Sequence, residues 1–568
     1  MFIERMDVDQ HKKDKEFVRL SPVERIKEAS DGLRGSLKGS LNDPLTGALR
    51  EDDQALIKFH GIYQQDDRDR REERTEKKLE WLYSYMIRLR LPGGQLTAEQ
   101  WEGLHHIAGE HSTGVIKITT RQTVQLHGVV KSHLKPTLKA FDTLKLDSIA
   151  ACGDVNRNVV CSAHASVSPL HGEVFAYADR ISTMALPKTR AYYEIWLDGE
   201  ELNRREEEVD PLYEHRYLPR KFKIAIAIPP DNDVDVLAND IGLIAIEEGG
   251  KLTGFNLAVG GGLSATHGNP ATYPRVGTVI GSISAGEDVL KAVYAVITIQ
   301  RDHGNRSDRK LARLKYTIDK MGVDAFRQEL EKRCGFKLQP TRAYAFQRRD
   351  DHYGWEKDHR GLWSYTLFVE NGRLTDEAGV LAKSAMLAVA MTRKAGFRFT
   401  CNQNLVLTDV KEQDKAGLNT ILELNGVTQS TEQASLIRRN AIACTAFNTC
   451  PLALAEAQRY LPSLISRIEP ILAKHGMDKD EIHLRMTGCP NGCGRPYLAE
   501  IGLIGTAYGR YNLHLGGDRL GLRLNKKYRE SLDEEQILGE LDGLFGAWSA
   551  GRKNNETFGD FALRSQWV

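Results

Sequence analysis

The strongest constraint on this 568-residue chain is that it repeats itself. KITTRQTVQL (Lys117 to Leu126) resembles RFTCNQNLVL (Arg398 to Leu407), each reading as a strand, a Thr-x-(Arg/Asn)-Gln turn and a second strand. Upstream of these, RLPGGQLTAEQW and FVENGRLTDEAG share a strand, a Gly turn and a Leu-Thr helix start. A second pair follows in the same order. DIGLIAI (Asp240 to Ile246) matches EIGLIGT (Glu500 to Thr506), and FNLAVGGGLS (Phe255 to Ser264) matches YNLHLGGDRL (Tyr511 to Leu520). The pattern predicts an α/β protein with mixed α+β sheets, built as two duplicated halves related by a pseudo-twofold. Each half holds a small α/β unit and a larger one, and the interface between halves is a natural seat for a large cofactor.

Composition narrows the function classes. Lys plus Arg total 78 against 77 Asp plus Glu, so bulk charge gives no nucleic-acid or membrane-surface character. No apolar run approaches the roughly 18 residues of a membrane span. The opening MFIERMDVDQHKKDKEF has no apolar signal region, and a cytoplasmic protein is expected. Residues 1–80 are charge-dense, ending in QQDDRDRREERTEKKLEW, and read as an N-terminal arm: a solvated helix with alternating charges, or a docking segment. The remaining borders are expected at 81–165 and 346–428 for the two small units. The larger units are expected at 166–345 and 429–568.

Eight cysteines are too few for a disulfide scaffold, and four of them crowd into fifty residues. Cys444 and Cys450 lie in ACTAFNTCPLA, and Cys489 and Cys493 in TGCPNGCGRPYLAEIGL. Four thiolates can bind zinc or an iron–sulfur cluster. The spacer between Cys444 and Cys450 is wide for a zinc knuckle. Gly488, Gly492 and Gly494 suit backbone amides approaching cluster sulfides, with Pro490 stiffening the turn. Unrelated buried thiols are the bland alternative, and a non-catalytic protein stabilised by zinc or a cluster is the functional one.

Thr487-Gly488-Cys489, then Cys493, then Glu500-Ile501-Gly502-Leu503 resembles the signature of sirohaem-dependent nitrite and sulfite reductases. The resemblance runs through HGIYQQDDRD, RLPGG, TRQTVQLHG, DVNRNVVC, LPRKFK and RDHGNRSDRK, and is closest to assimilatory sulfite-reducing members. It implies ferredoxin-like small units and a [4Fe–4S] cluster on Cys444, Cys450, Cys489 and Cys493. It also implies a sirohaem whose iron shares the Cys493 thiolate. The implied reaction is six-electron reduction of sulfite to sulfide in assimilatory sulfur metabolism. Nitrite reduction to ammonia is the alternative.

Sirohaem carries eight carboxylates and sulfite is an oxyanion, so both need many buried cations. The chain concentrates them at Arg88 and Arg90, Lys117 and Arg121, Arg157, the run Arg220, Lys221 and Lys223, and Arg306, Arg309 and Lys310. Taken singly, each reads as a solvent-exposed cation at a strand end. Lys221 and Lys223, however, alternate into apolar IAIAI and so point to one face of an expected strand. By resemblance, Arg88, Arg157, Lys221 and Lys223 surround the substrate. Arg121, Gln125, Arg306 and Arg309 sit with the cofactor carboxylates, and Lys117 is grouped with them. Arginine grips oxyanion oxygens bidentately and stays charged, whereas a lysine crowded by cations can have its pKa lowered enough to deliver protons. A cation about 4 Å from the anion contributes about 4 kcal/mol at an effective dielectric of 20, before desolvation. Nitrite-preferring relatives typically carry Asn at the position of Lys223, which makes LPRKFK the discriminating motif.

His60 and His127 read as core or hydrogen-bonded histidines. GGGLS at Gly260 to Ser264 lacks the spacing of a dinucleotide loop. With no flavin or nicotinamide motif in the chain, electrons must come from a partner. The N-terminal region and the tail ETFGDFALRS resemble the subunit served by an NADPH-dependent flavoprotein, with ferredoxin as the other donor considered. A hetero-oligomer is expected, with no nucleic-acid or membrane partner.

Overall fold

The computed structural model describes residues 20–199 and 209–568. Both small units are five-stranded antiparallel sheets, and each borrows its last strand from the other half. The first runs Ile62–Asp66, Tyr83–Arg88, Val124–Val129, Ile116–Ile118 and then Arg373–Leu374. The second runs Gly354–Lys357, Trp363–Leu367, Leu405–Val410, Gly396–Phe399 and then Gln95–Leu96. The registers match: Arg373 faces Lys117 and Leu374 faces Ile116, while Gln95 faces Arg398 and Leu96 faces Phe397. Each exchanged strand covers an edge that would otherwise present unpaired backbone groups. Thr97 then caps the helix Ala98–His111 with a full capping box. That helix lays Trp101 flat on Phe397 of the other half, ring centroids 4.5 Å apart.

The larger units repeat one topology. Val160–Cys161, Ile224–Ala227 and Ile241–Glu248 are parallel, and Lys251–Val259 and Thr278–Ser284 continue antiparallel. Ile442–Ala443, Leu484–Thr487, Ile501–Ala507, Arg510–Leu515 and Lys526–Leu532 do the same. Ile224 pairs with Ile241 as Leu484 pairs with Ile501, so Pro229 to Asp240 corresponds residue for residue to Cys489 to Glu500. The duplicated architecture expected from the repeats is therefore present in both layers. Among the described residues no helix is long and apolar enough to cross a membrane.

The expected domain borders need correcting in three places. The described part of 1–80 is no free arm: Leu33, Leu37, Leu49, Leu56, Ile57 and Phe59 are buried in the same core as the first sheet. Ile62–Asp66 is that sheet's edge strand. A few apolar residues spaced among many charges suffice to anchor the segment, and average charge density hides them. The docking role considered for the 1–80 arm falls in part on residues 1–19, which lie outside the described residues. Only the helix Arg71–Glu76 fits the solvated-helix reading, with exposed Arg70–Glu73 and Lys77–Glu73 ion pairs. The borders at 81–165 and 346–428 also fail to enclose their sheets, because of the strand exchange. Val160–Cys161 belongs to the larger sheet.

Candidate active site

The corresponding strand ends meet at a cavity between the halves. Thr120 and Arg121 reach it from the first small unit, and Lys221, Lys223, Asn239, Ser264 and Arg313 from the first larger unit. Asn491, Gly492, Cys493 and Arg495 close it from the second half. Thr120 Oγ1 donates to the Cys493 carbonyl at 3.0 Å, fixing that loop against the first half.

Cys444 follows Ile442–Ala443 and Cys489 follows Leu484–Thr487, so two adjacent parallel strands aim both thiols the same way. Gly488 permits the close turn, since a Cβ there would lie 2.4 Å from the Ala455 carbonyl. Its N–H donates to Cys444 Sγ at 3.4 Å, and Asn491 Nδ2 to Cys489 Sγ at 3.5 Å. The four sulfurs feel one another. Burial, reinforced by Cys493 and Cys489, pushes the Cys450 thiol up to about 12, and burial with Cys493, Cys450 and Cys489 raises Cys444 as well. Such a group stays protonated until iron holds it as thiolate. Among the described residues no three His, Cys, Asp or Glu side chains converge as tightly as a single metal ion requires. Four thiols that interact by charge suit a multi-atom cluster. Cys493 is the exposed one of the four and is the one on the cavity. The donor set fits a cluster that shares one thiolate with a second group in that cavity.

Lys221 and Lys223 flank Phe222, whose backbone bridges to Asn156, and the regular strand begins only at Ile224. The expected strand starts later, yet both side chains line the same cavity. Burial brings the Lys221 ammonium down to about 7, with Arg220, Arg313 and Arg157 adding to the effect and Cys493 opposing it. Lys223 is also depressed, by burial and by Lys221, Arg313 and Arg121. Its backbone N–H is held by Asp240 at 2.9 Å, as His483 is held by Glu500 at 3.0 Å in the other half.

Arg121 donates to Asn239 Oδ1 at 2.6 Å and to the Ile224 carbonyl at 3.2 Å, while its buried Nε has no partner. Arg157 donates to the Gly153 carbonyl at 2.8 Å and lies close enough to act on both Lys221 and Arg121. Arg88 contacts Cys152 Sγ at 3.0 Å and pairs in register with Gln125, whose amide oxygen faces the Arg88 guanidinium. Arg88, Arg157 and Gln125 are outside the lining of the cavity proper. Lys117 is buried beside Cys444, donating to the Asn371 carbonyl, so it stands nearer the cysteines than the cavity. Two residues are engaged elsewhere. Arg306 pairs with Glu24 at 2.5 Å, and Arg309 grips Asp154 at 2.6 and 2.9 Å.

The histidines behave as core residues. His127 bonds Gln65 and Gln125 and is depressed to about 3 by burial with Lys117 and Arg88. His60 lies between the Leu33 carbonyl and the Trp196 indole. GGGLS supplies Leu263 and Ser264 to the cavity wall. Sequence reasoning missed Arg313, Arg495, Asn239 and Thr120. Arg495 was within sight, two residues beyond Cys493, but Arg313 carries no local signal because its place depends on an ion pair with Asp240 at 2.8 Å.

Comparison with known proteins agrees with this geometry. The family described as the nitrite and sulphite reductase 4Fe-4S domain matches residues 176–338, and the nitrite/sulfite reductase ferredoxin-like half domain matches twice, at 82–144 and 356–425. The first match falls on the half without the four clustered cysteines, as a duplicated unit allows. A relative from Leptospira biflexa, named sulfite reductase [NADPH] hemoprotein beta-component, is 63% identical over 95% of this chain and 98% of its own. Namesakes from Staphylococcus haemolyticus (49% identical, covering 96% of this chain and 95% of theirs) and Myxococcus xanthus (50%, covering 97% of each) are also similar. The solved structure of the Mycobacterium tuberculosis NirA protein superposes with a TM-score of 0.78 at 26% identity, covering 96% of each chain. With a cavity walled by cations, four cysteines near enough to act on one another by charge, and duplicated halves, the chain belongs to the nitrite and sulphite reductase family.

Proposed function

We propose that this chain reduces sulfite to sulfide, using six electrons and seven protons and releasing hydrogensulfide and three waters. The observation that carries the reading is that Cys493, Lys221 and Lys223 share one cavity. Cys444, Cys450, Cys489 and Cys493 would hold the cluster, and Cys493 would also hold the sirohaem iron. When bound, that pair of groups supplies the electrons and the metal site for the sulfur atom. Everything else falls to the side chains. Arg121 offers an unpartnered buried N–H to a cofactor carboxylate. Arg88 and Arg157 grip substrate oxygens from the wall next to the cavity. Lys221 and Lys223 bind the dianion and deliver protons from Nζ, a task suited to an ammonium brought down to about 7. Gln125, Lys117, Arg306 and Arg309 act behind them, holding Arg88, the cysteine loop and the N-terminal segment in place.

The similar proteins carry NADPH in their names. We propose an NADPH-dependent flavoprotein as electron donor and a cytoplasmic setting. The test is the visible spectrum of the purified chain together with kcat/KM for sulfite and nitrite under reduced methyl viologen. A haem-type spectrum with sulfite preferred supports the reading, and nitrite preferred by tenfold or more overturns it.

A further inference from the structure

The duplication creates a second cavity where the first half's cavity has its counterpart. Arg439, Asn402 and His483 line it at the positions that Arg157, Arg121 and Lys223 occupy in the other half. Arg349 and Arg485 complete the wall, 1% exposed each. What distinguishes the cavity is unspent hydrogen-bonding capacity. Arg349 Nε and Nη2, Arg485 Nε, Arg439 Nε and His483 Nε2 are buried without a partner, while His483 Nδ1 lies 3.5 Å from the Glu500 carboxylate. An arginine N–H has no acceptor role and must donate or stay unsatisfied.

The charge balance points the same way. Asp235 is shared by Arg485, Arg495 and Arg349, so one carboxylate serves three buried guanidiniums. Two more carboxylates stand in the cavity wall itself, and both already accept hydrogen bonds. Asp350 accepts from Arg348, and Asp351 from Thr400, Asn404 and His164.

We propose that this second cavity binds a small inorganic oxyanion of the sulfate and phosphate class, held by the free N–H groups of Arg349, Arg439 and Arg485 with His483. Its chemistry is that of a resident counter-ion between the halves, separate from the cavity that carries Cys493.

The test uses the holoenzyme in acetate buffer, with cyanide blocking the iron so that the active site takes no anion. Equilibrium dialysis against labelled sulfate, and separately labelled phosphate, should give one anion per chain, and the arm with tighter binding names the natural source. Arg439→Gln, at the partly exposed side of the cavity, should weaken that binding tenfold or more and leave the visible spectrum unchanged. No stoichiometric binding of either anion, or equal binding by the variant, overturns the proposal. Selenate soaked into wild-type crystals gives an independent reading. An anomalous peak between Arg349 and Arg485 supports the site even if Arg439→Gln or the harsher Arg349→Gln fails to fold, and its absence overturns it.

Discussion

Asp235 and Arg495, matching residues of the two halves, meet in a buried ion pair with Oδ2 and Nη1 2.8 Å apart. Both hold left-handed backbone, at φ 46° and 59°, so the same turn carries opposite charges in the two copies. Burial works against the Asp235 carboxylate, but Arg485, Arg495 and Arg349 outweigh it and hold the group well below the usual range. Asp235→Asn leaves three buried guanidiniums without their counter-charge, and removing one partner from such a network costs about 3–5 kcal/mol. Urea unfolding should show that loss. A change under 1 kcal/mol would mean the pair contributes little to joining the halves.

Cys493→Ser should abolish the coupled centre while leaving the fold intact, because the side chain is exposed at the cavity. Iron, acid-labile sulfide and the visible spectrum report the outcome. A purified variant with an intact coupled spectrum would remove Cys493 from the assignment.

Lys223→Asn removes one of the two cavity lysines and should lower the ratio of kcat/KM for sulfite over nitrite by about tenfold, since a doubly charged substrate loses more Coulomb energy than a singly charged one. The cofactor spectrum should stay normal. An unchanged or higher ratio would show that Lys223 does not read substrate charge.

Lys221 gives a pH dependence whose sign is set. Burial lowers it to about 7, so the ammonium is present below that pH and lost as pH rises through it. Lys221→Arg keeps a fixed charge. The wild type should therefore lose kcat/KM for sulfite faster than the variant above pH 7, and the ratio of the two profiles cancels the titration of sulfite itself. Parallel profiles would rule out Lys221 as the titrating group.

Arg68 reaches from the N-terminal segment to the loop of the cluster cysteines, donating to the Cys450 carbonyl at 2.9 Å and the Ala453 carbonyl at 2.8 Å. Its guanidinium also lies over the Phe447 ring at 4.3 Å. Arg68→Leu should speed iron loss to a chelator by about tenfold, in line with other groups that support metal ligands from behind. Circular dichroism should stay unchanged. Wild-type iron retention would leave Arg68 a surface contact only.

The duplication and the cysteine set were legible because they rest on local spacing: a turn between two strands keeps its glycines and its Thr-x-x-Gln wherever it sits. The neighbourhood of Lys221 and Lys223 was legible for the same reason. What escaped was pairing at long range. GGQL and NGRL were seen as repeats, but similarity between two segments does not say that each strand joins the other's sheet. Arg306 and Arg309 were grouped with the cofactor cations because their motif is basic, yet both meet carboxylates from distant segments, Glu24 and Asp154. Net charge density also concealed Leu33 and Leu37, whose burial turns the supposed arm into core.

The exchanged strands set a rule for how such a chain could arise. A solitary first half would carry Gln95–Leu96 with no sheet to join and would leave the edge at Ile116–Ile118 open. A second copy of itself satisfies both needs at once, each copy donating the strand the other lacks, as a closed twofold pair. A single-half chain would thus be complete only as a homodimer, and joining two halves in one chain makes a concentration-dependent assembly intramolecular. Within one chain the two halves need not be identical, and here one carries the thiols and the other the lysines.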